Sequence, residues 1–212
     1  MRDEAMTTEL TIVGRSSSHF TRVTRIFALE LEVSHAFQPV FDLTTLDTAA
    51  YAGNPALKIP ILVDDEGPLF GAENICRELV RRSGRDAEVV MRGEVRDRAV
   101  ANAEELTLHV MTAEVTLLMA KMAGGASAVP QKCPRSIESS LDHLDQNLEA
   151  VLAALPKGRV LGFLEVALFC VLTHLPFREV LDVTSWKRLV AFRDHFGERA
   201  SARETEYRFD AK

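Results

Sequence analysis

Cysteine is scarce in this 212-residue chain, with three residues, Cys76, Cys133 and Cys170, far apart and no Cys-x-x-Cys pair. That pattern excludes a disulfide-stapled scaffold and suits reduced thiols. Basic residues are in the minority, 25 Lys and Arg against 31 Asp and Glu, for a net charge of -6. The balance argues against nucleic-acid binding, which calls for a basic face, and leaves room for a small anion in a locally positive pocket. No apolar run is long enough to cross a bilayer. The most hydrophobic window, Val160 to Leu172, contains Glu165 and is too short, so it reads as a buried core helix. The six histidines form no HxxxH or HExxH pair, so no metal is expected. There are no repeats and no low-complexity tract. The opening Met1-Arg2-Asp3-Glu4 lacks the apolar core of a secretory leader, and the expected location is cytoplasmic.

What is present is ordinary for a globular protein: 47% hydrophobic and 26% charged residues, enough for a sizeable core. The first part of the chain mixes short strands and helices. Leu10 to Val13 reads as a strand ending at Gly14. His19 to Leu31 is helical, with Phe20, Val23, Ile26, Phe27 and Leu31 on one stripe. Ser34 to Phe41 reads as a second strand, and Leu46 to Ala52 as a short helix or irregular turn. Ile61 to Val63 is a strand entered through Pro60, which lacks a ladder donor and so belongs at a strand start. The turn Asp64-Asp65-Glu66-Gly67 leads to a second short strand, Pro68-Leu69-Phe70, and a helix begins at Ala72.

Arg81-Arg82-Ser83-Gly84-Arg85-Asp86 reads as a linker. Beyond it the pattern is helical throughout: Val89 to Met122, a break over Gly124 to Pro130, then Arg135 to Leu155 with a stripe of Ile137, Leu141, Leu144, Leu148, Val151, Leu152 and Leu155. Phe163 to Leu175 is apolar nearly all round, and Ser185 to Phe196 follows with Ser185 as the expected N-cap. No strand is expected in this part. The expected division is 1–83 for a small α/β domain and 88–212 for an all-α domain.

The order β-α-β-α-β-β-α with a proline before the third strand resembles a thioredoxin-like domain. Three segments extend the likeness: Ser18-His19-Phe20-Thr21-Arg22 at the first helix, Asn54-Pro55-Ala56-Leu57-Lys58-Ile59-Pro60 before the third strand, and Glu73-Asn74 at the third helix. With a helical second part, the whole resembles the cytosolic glutathione transferases, of the serine-dependent, bacterial-like kind. Gly162-Phe163-Leu164-Glu165 occupies the place of that family's Ser/Thr-x-x-Asp helix opening, with Gly for the hydroxyl and Glu for Asp.

The resemblance implies a ligand and a reaction. Glutathione's thiol, like a free cysteine, has a pKa of about 8.5, so roughly 3% is thiolate at neutral pH. Lowering that pKa by about 2 units makes near three quarters thiolate and requires roughly 2.7 kcal/mol. One charge-assisted hydrogen bond supplies on the order of 1.5–3 kcal/mol and a helix N-terminus roughly 0.3–1 kcal/mol more. A hydroxyl at the start of a helix therefore suffices, without a general base. The family frame assigns that hydroxyl to Ser18, with Ser16 and Ser17 as alternatives, and places Phe20 beside the ligand. A plain solvated cap is the competing role for the three serines.

The same frame implies a cis bond at Ile59-Pro60, with the Ile59 backbone pairing with the ligand's cysteinyl unit. Glu73 would accept from the ligand's α-ammonium, Asn74 would hold its α-carboxylate, and Lys58 would meet the glycyl carboxylate. Leu106, His109, Val110, Ala113, Glu114 and Leu117 are candidates for an electrophile wall, and equally suit helix packing. The implied protein is a homodimeric enzyme that conjugates glutathione, its co-substrate, to a hydrophobic electrophile in detoxification. A catalytically silent binding or regulatory protein is the alternative, as is a glutathione-dependent isomerase or dehalogenase.

Overall fold

The computed structural model describes residues 10–124 and 130–211. The break expected over Gly124 to Pro130 lies mostly outside them, as does the opening segment. Two compact units result, Met1–Arg85 with Thr205–Lys212, and Asp86–Glu204. The C-terminal tail therefore groups with the first unit, whereas the sequence division left it with the helical part.

The first unit holds a four-stranded mixed sheet in the order β2-β1-β3-β4. Its strands are β1 (Thr11–Gly14), β2 (Ala36–Pro39), β3 (Ile61–Asp64) and β4 (Gly67–Phe70). β1 and β2 are parallel, joined through helix α1 (His19–Glu30), while β3 runs antiparallel to both β1 and β4. Neighbouring residues of β1 and β3 face opposite sides of the sheet. Val13 and Ile61 pack with Val40 and Tyr51 in one buried cluster, against which Leu57, Ile59 and Phe70 rest. The expected second helix is a single 3-10 turn, Thr48–Tyr51, capped by Asp47 through the Ala49 amide.

Helix α2 (Ala72–Ser83) turns Ile75, Cys76, Leu79 and Val80 inward and packs on α1. It runs to Ser83 and ends on Gly84, so Arg81 and Arg82 are helix residues and the linker is shorter than expected. Both arginines serve Glu78, which accepts from Arg81 Nε at 2.8 Å and Nη2 at 2.6 Å and from Arg82 Nε at 2.6 Å. Arg82 also pairs with Asp64 at the end of β3. The bond from Arg81 is the main reason the Glu78 carboxyl is held down to about 2 from 4.5. A carboxyl depressed on folding contributes stability that is complete above its unfolded pKa and is lost as pH falls through its folded one. Thermal melts of a Glu78→Gln variant should therefore show a shallower loss between about pH 4.5 and 2 than the parent. At neutral pH the variant should be less stable by about 1 kcal/mol, since solvent screens this surface network.

In the second unit, α3 (Arg98–Met122) packs on α4 (Lys132–Ala154) and α5 (Phe163–Phe177), and α6 (Lys187–Phe196) packs on α4 and α5; α7 is Ala200–Glu204. Asp97 caps α3, accepting from the Ala99 and Val100 amides. The predicted α4 stripe is buried except at Leu152, which is half-buried, and its last member, Leu155, is the C-cap just past the helix end. Two strands of two residues each, β5 (Val89–Val90) and β6 (Leu161–Gly162), pair in parallel where none was expected. Ser185 is not the cap of α6. Asp145 of α4 takes that role, accepting from the Arg188 and Leu189 amides at 2.9 and 3.0 Å.

Helix α5 starts at Gly162 with no side-chain cap. Glu165, one turn in, fills the space: a Cβ on Gly162 would lie 2.5 Å from Glu165 Oε2. Arg159 grips both oxygens of this carboxylate, Nε to Oε2 at 2.7 Å and Nη2 to Oε1 at 2.8 Å. That bidentate bond raises the Arg159 guanidinium above its ordinary range.

Candidate functional site in the first unit

The register brings the three sequence-predicted segments to one end of the sheet. Val13 faces Ile61, and Ile61 faces Phe70. The loop after β1 carries Ser16 to Ser18, the chain entering β3 carries Lys58 to Pro60, and the chain leaving β4 carries Glu73 and Asn74. All three open from that same edge, so the segments converge although they lie up to 58 residues apart in sequence.

The β1–α1 loop is shaped by close contact. A Cβ on Gly14 would lie 2.5 Å from Thr21 Cγ2, so only glycine lets β1 end against the first turn of α1. Thr21 Oγ1 accepts from the Arg15 amide at 3.3 Å, and Ser18 N donates to Arg15 O at 3.0 Å, which makes Ser16 and Ser17 the centre of a turn. Ser18 is the N-cap of α1, its hydroxyl oxygen accepting from Thr21 N at 3.3 Å. Accepting that bond uses a lone pair and leaves the hydroxyl proton for another acceptor. The first helical bond is Arg22 N to Ser18 O, so the His19 and Phe20 amides belong to the open first turn.

Exposure separates the three serines. Ser16 and Ser17 are 2% and 5% exposed, whereas Ser18 is only half-buried. The Ser16 hydroxyl and Arg15 Nε are buried with no hydrogen-bond partner among the described residues. Phe20 is half-buried, its ring 4.6 Å from that of His19.

The Ile59-Pro60 bond is cis. Ile59 is half-buried, Pro60 buried and Lys58 exposed. The loop before them is built around Asn54, which sequence reasoning quoted without giving it a role. Asn54 is 4% exposed, donates from Nδ2 to Lys58 O at 2.8 Å and accepts from the Ala56 amide at 3.0 Å. A buried Asn bonded through both ends of its amide fixes the chain leading to Ile59. Its available signal was the Asn-Pro pair, a turn starter.

At the third segment, Glu73 and Asn74 lie in the first turn of α2, after Gly71, which offers no capping side chain. Glu73 Oε1 accepts from Arg77 at 3.0 Å, and Asn74 Nδ2 donates to Phe70 O at 3.0 Å. Both side chains are thus engaged locally, and the amides of the helix start supply the donors for an anion. The α3 candidates divide: Val110, Ala113 and Glu114 are buried, with Glu114 Oε1 2.8 Å from His174 Nδ1, while exposed His109 bonds Ser136 Oγ at 2.9 Å.

A mixed four-stranded sheet with a cis-proline entering its third strand, followed by a helical unit, is the fold of the glutathione transferases. Residues 17–82 match the family model described as the glutathione S-transferase N-terminal domain. The first unit is thus similar to the N-terminal domain of the glutathione S-transferases, and the chain shares their fold. A glutathione S-transferase from Methylobacillus flagellatus KT, solved with GSH bound, has 24% identity and a TM-score of 0.79, over 94% of this chain and 100% of that one. A family member from Pseudomonas fluorescens Pf-5 with bound glutathione gives 23% and 0.76, over 94% and 100%. An epsilon-class enzyme from the housefly, Musca domestica, gives 17% and 0.74, over 93% and 92%. No curated protein matches the chain.

Proposed function

We propose that this protein binds glutathione at the converging end of the sheet and transfers its thiolate to a hydrophobic electrophile. The observation that carries this is Ser18. Of the three serines it alone is open, it stands at the start of α1, and its hydroxyl proton is spare while its oxygen caps the helix. A hydroxyl that accepts an amide bond is also the better donor, because bonds in a chain polarise one another. Ser18 donates to the thiolate, the first-turn amides of α1 add their dipole, and no metal is needed. Ile59 offers its backbone to the cysteinyl unit. The start of α2 at Glu73 and Asn74 receives the γ-glutamyl end, Lys58 faces the glycyl carboxylate, and Phe20 borders the sulfur. Relatives of the same fold solved with glutathione bound support this assignment. A cytoplasmic homodimer acting in detoxification belongs to the same proposal; among the described residues no helix is long and apolar enough to cross a membrane.

Calorimetric titration with reduced glutathione, followed by turnover of a chromogenic aryl halide, tests it. Binding in the micromolar to low millimolar range with turnover is the expected outcome. Binding without turnover on several electrophile classes would instead support the silent binding protein, which the local engagement of Glu73 and Asn74 favours. No heat at millimolar glutathione would overturn both.

A further inference from the structure

We propose that the C-terminal tail is a strap that presets the β1–α1 serine loop for glutathione, with Asp210 as its positioning residue. This rests on the glutathione assignment above. The tail touches the loop and its helix at three points. Asp210 Oδ2 accepts from the Ser16 amide at 2.8 Å. Thr205 Oγ1 accepts from Arg22 Nε at 3.3 Å, and the Arg22 guanidinium lies 4.3 Å from the centre of the Tyr207 ring. Thr205 is fully buried and Arg22 is 4% exposed, so the anchor is an internal contact of the first unit.

The mechanics follow from the turn. Ser18 N to Arg15 O closes it, and Ser16 occupies its centre with a buried side chain. The Ser16 amide needs an acceptor, and the tail supplies one with a charge behind it. Arg22, whose amide bonds Ser18 O, ties the same tail to the first turn of the helix. Held at Ser16 and at Arg22, the segment between them, which contains Ser18, has little freedom. A loop that is already ordered binds with its full affinity. A loop ordered only one-tenth of the time shows an apparent Kd raised about tenfold.

The test uses the full chain as parent, Asp210→Ala and Asp210→Asn. Glutathione is titrated calorimetrically, steady-state rates are measured against glutathione, and Ser16 amide exchange is followed by NMR without ligand. Asp210→Ala should raise both Kd and KM for glutathione by about tenfold with kcat at saturation nearly unchanged, because bound ligand restores the ordered loop. Asp210→Asn, whose amide oxygen still accepts, should rescue both constants to within about twofold of the parent. Ser16 exchange should accelerate in the alanine variant alone. A general loss of folded protein would instead lower kcat at unchanged KM, and that result overturns the strap, as does parental affinity in Asp210→Ala. Should the parent bind no glutathione, the functional assignment fails, and the exchange rates judge the strap by themselves: equal rates in parent and Asp210→Ala overturn it.

Discussion

Replacing Ser18 with alanine should lower conjugation at pH 7 by about 25-fold, the ratio of three quarters to 3% thiolate. The hydroxyl that caps α1 is, in the proposed function, also the donor to the sulfur anion. Its removal returns the bound thiol toward its free pKa of about 8.5. The sign is fixed by which form is stabilised: the donor favours the thiolate, so it lowers the pKa, and its loss raises it. The deficit should therefore shrink as pH rises and nearly vanish above about pH 9. Thiolate absorbance of the glutathione complex, followed against pH, reads the shift directly. The variant also loses a cap, so its melting free energy should fall by about 1 kcal/mol, whereas Ser18→Thr keeps both cap and donor. Ser16→Ala alters a hydroxyl that is 2% exposed and should leave the pH profile in place. If Ser18→Ala titrates like the parent while Ser17→Ala does not, the donor is Ser17.

The second large effect is expected at the start of α5. Glu165→Ala should destabilise the protein by about 2 kcal/mol, since it strips the half-buried Arg159 of a bidentate partner. Gly162→Ser alone should also destabilise, because the new Cβ meets the Glu165 carboxylate 2.5 Å away. Glu165→Asp alone shortens the reach to Arg159. The two substitutions made together recreate the family's hydroxyl-and-Asp opening, in which the shorter acid leaves room for the cap. Chemical denaturation of both single variants and the double should show the double less affected than the sum, with a coupling of about 1–2 kcal/mol. Strict additivity would mean that the Gly and the Glu are unrelated changes.

These two sites illustrate what the sequence discloses and what it hides. The strands, α1 and the α4 stripe rest on local pattern, which is written residue by residue, so Phe27, Ile61 and Leu144 could be placed inside from the sequence alone. The candidate-site segments were legible through the family resemblance, each lying at a turn or a helix start. Contacts between distant segments leave no local trace. The bond from Ser16 to Asp210 spans 194 positions, and Asp145 caps a helix 43 positions away. A two-residue strand such as Val89–Val90 is too short for any period to register. The role of Asn54 escaped for a related reason: a polar residue beside a proline signals a turn, but not that the turn folds around its side chain.

The two outer strands of the sheet each contain a proline, Pro39 in β2 and Pro68 in β4. Ala36 and Val40 donate inward to Leu10 and Gly14, so alternation turns the nitrogen of Pro39 away from β1. Asp64 and Gly67 flank a two-residue turn, which likewise points the nitrogen of Pro68 outward. Each rim thus lacks a donor where another chain would try to zip onto it. Neither rim is a template for amyloid-like stacking or for annexing a peptide, and a second copy of the molecule must be met by side chains instead of by a lengthened ladder.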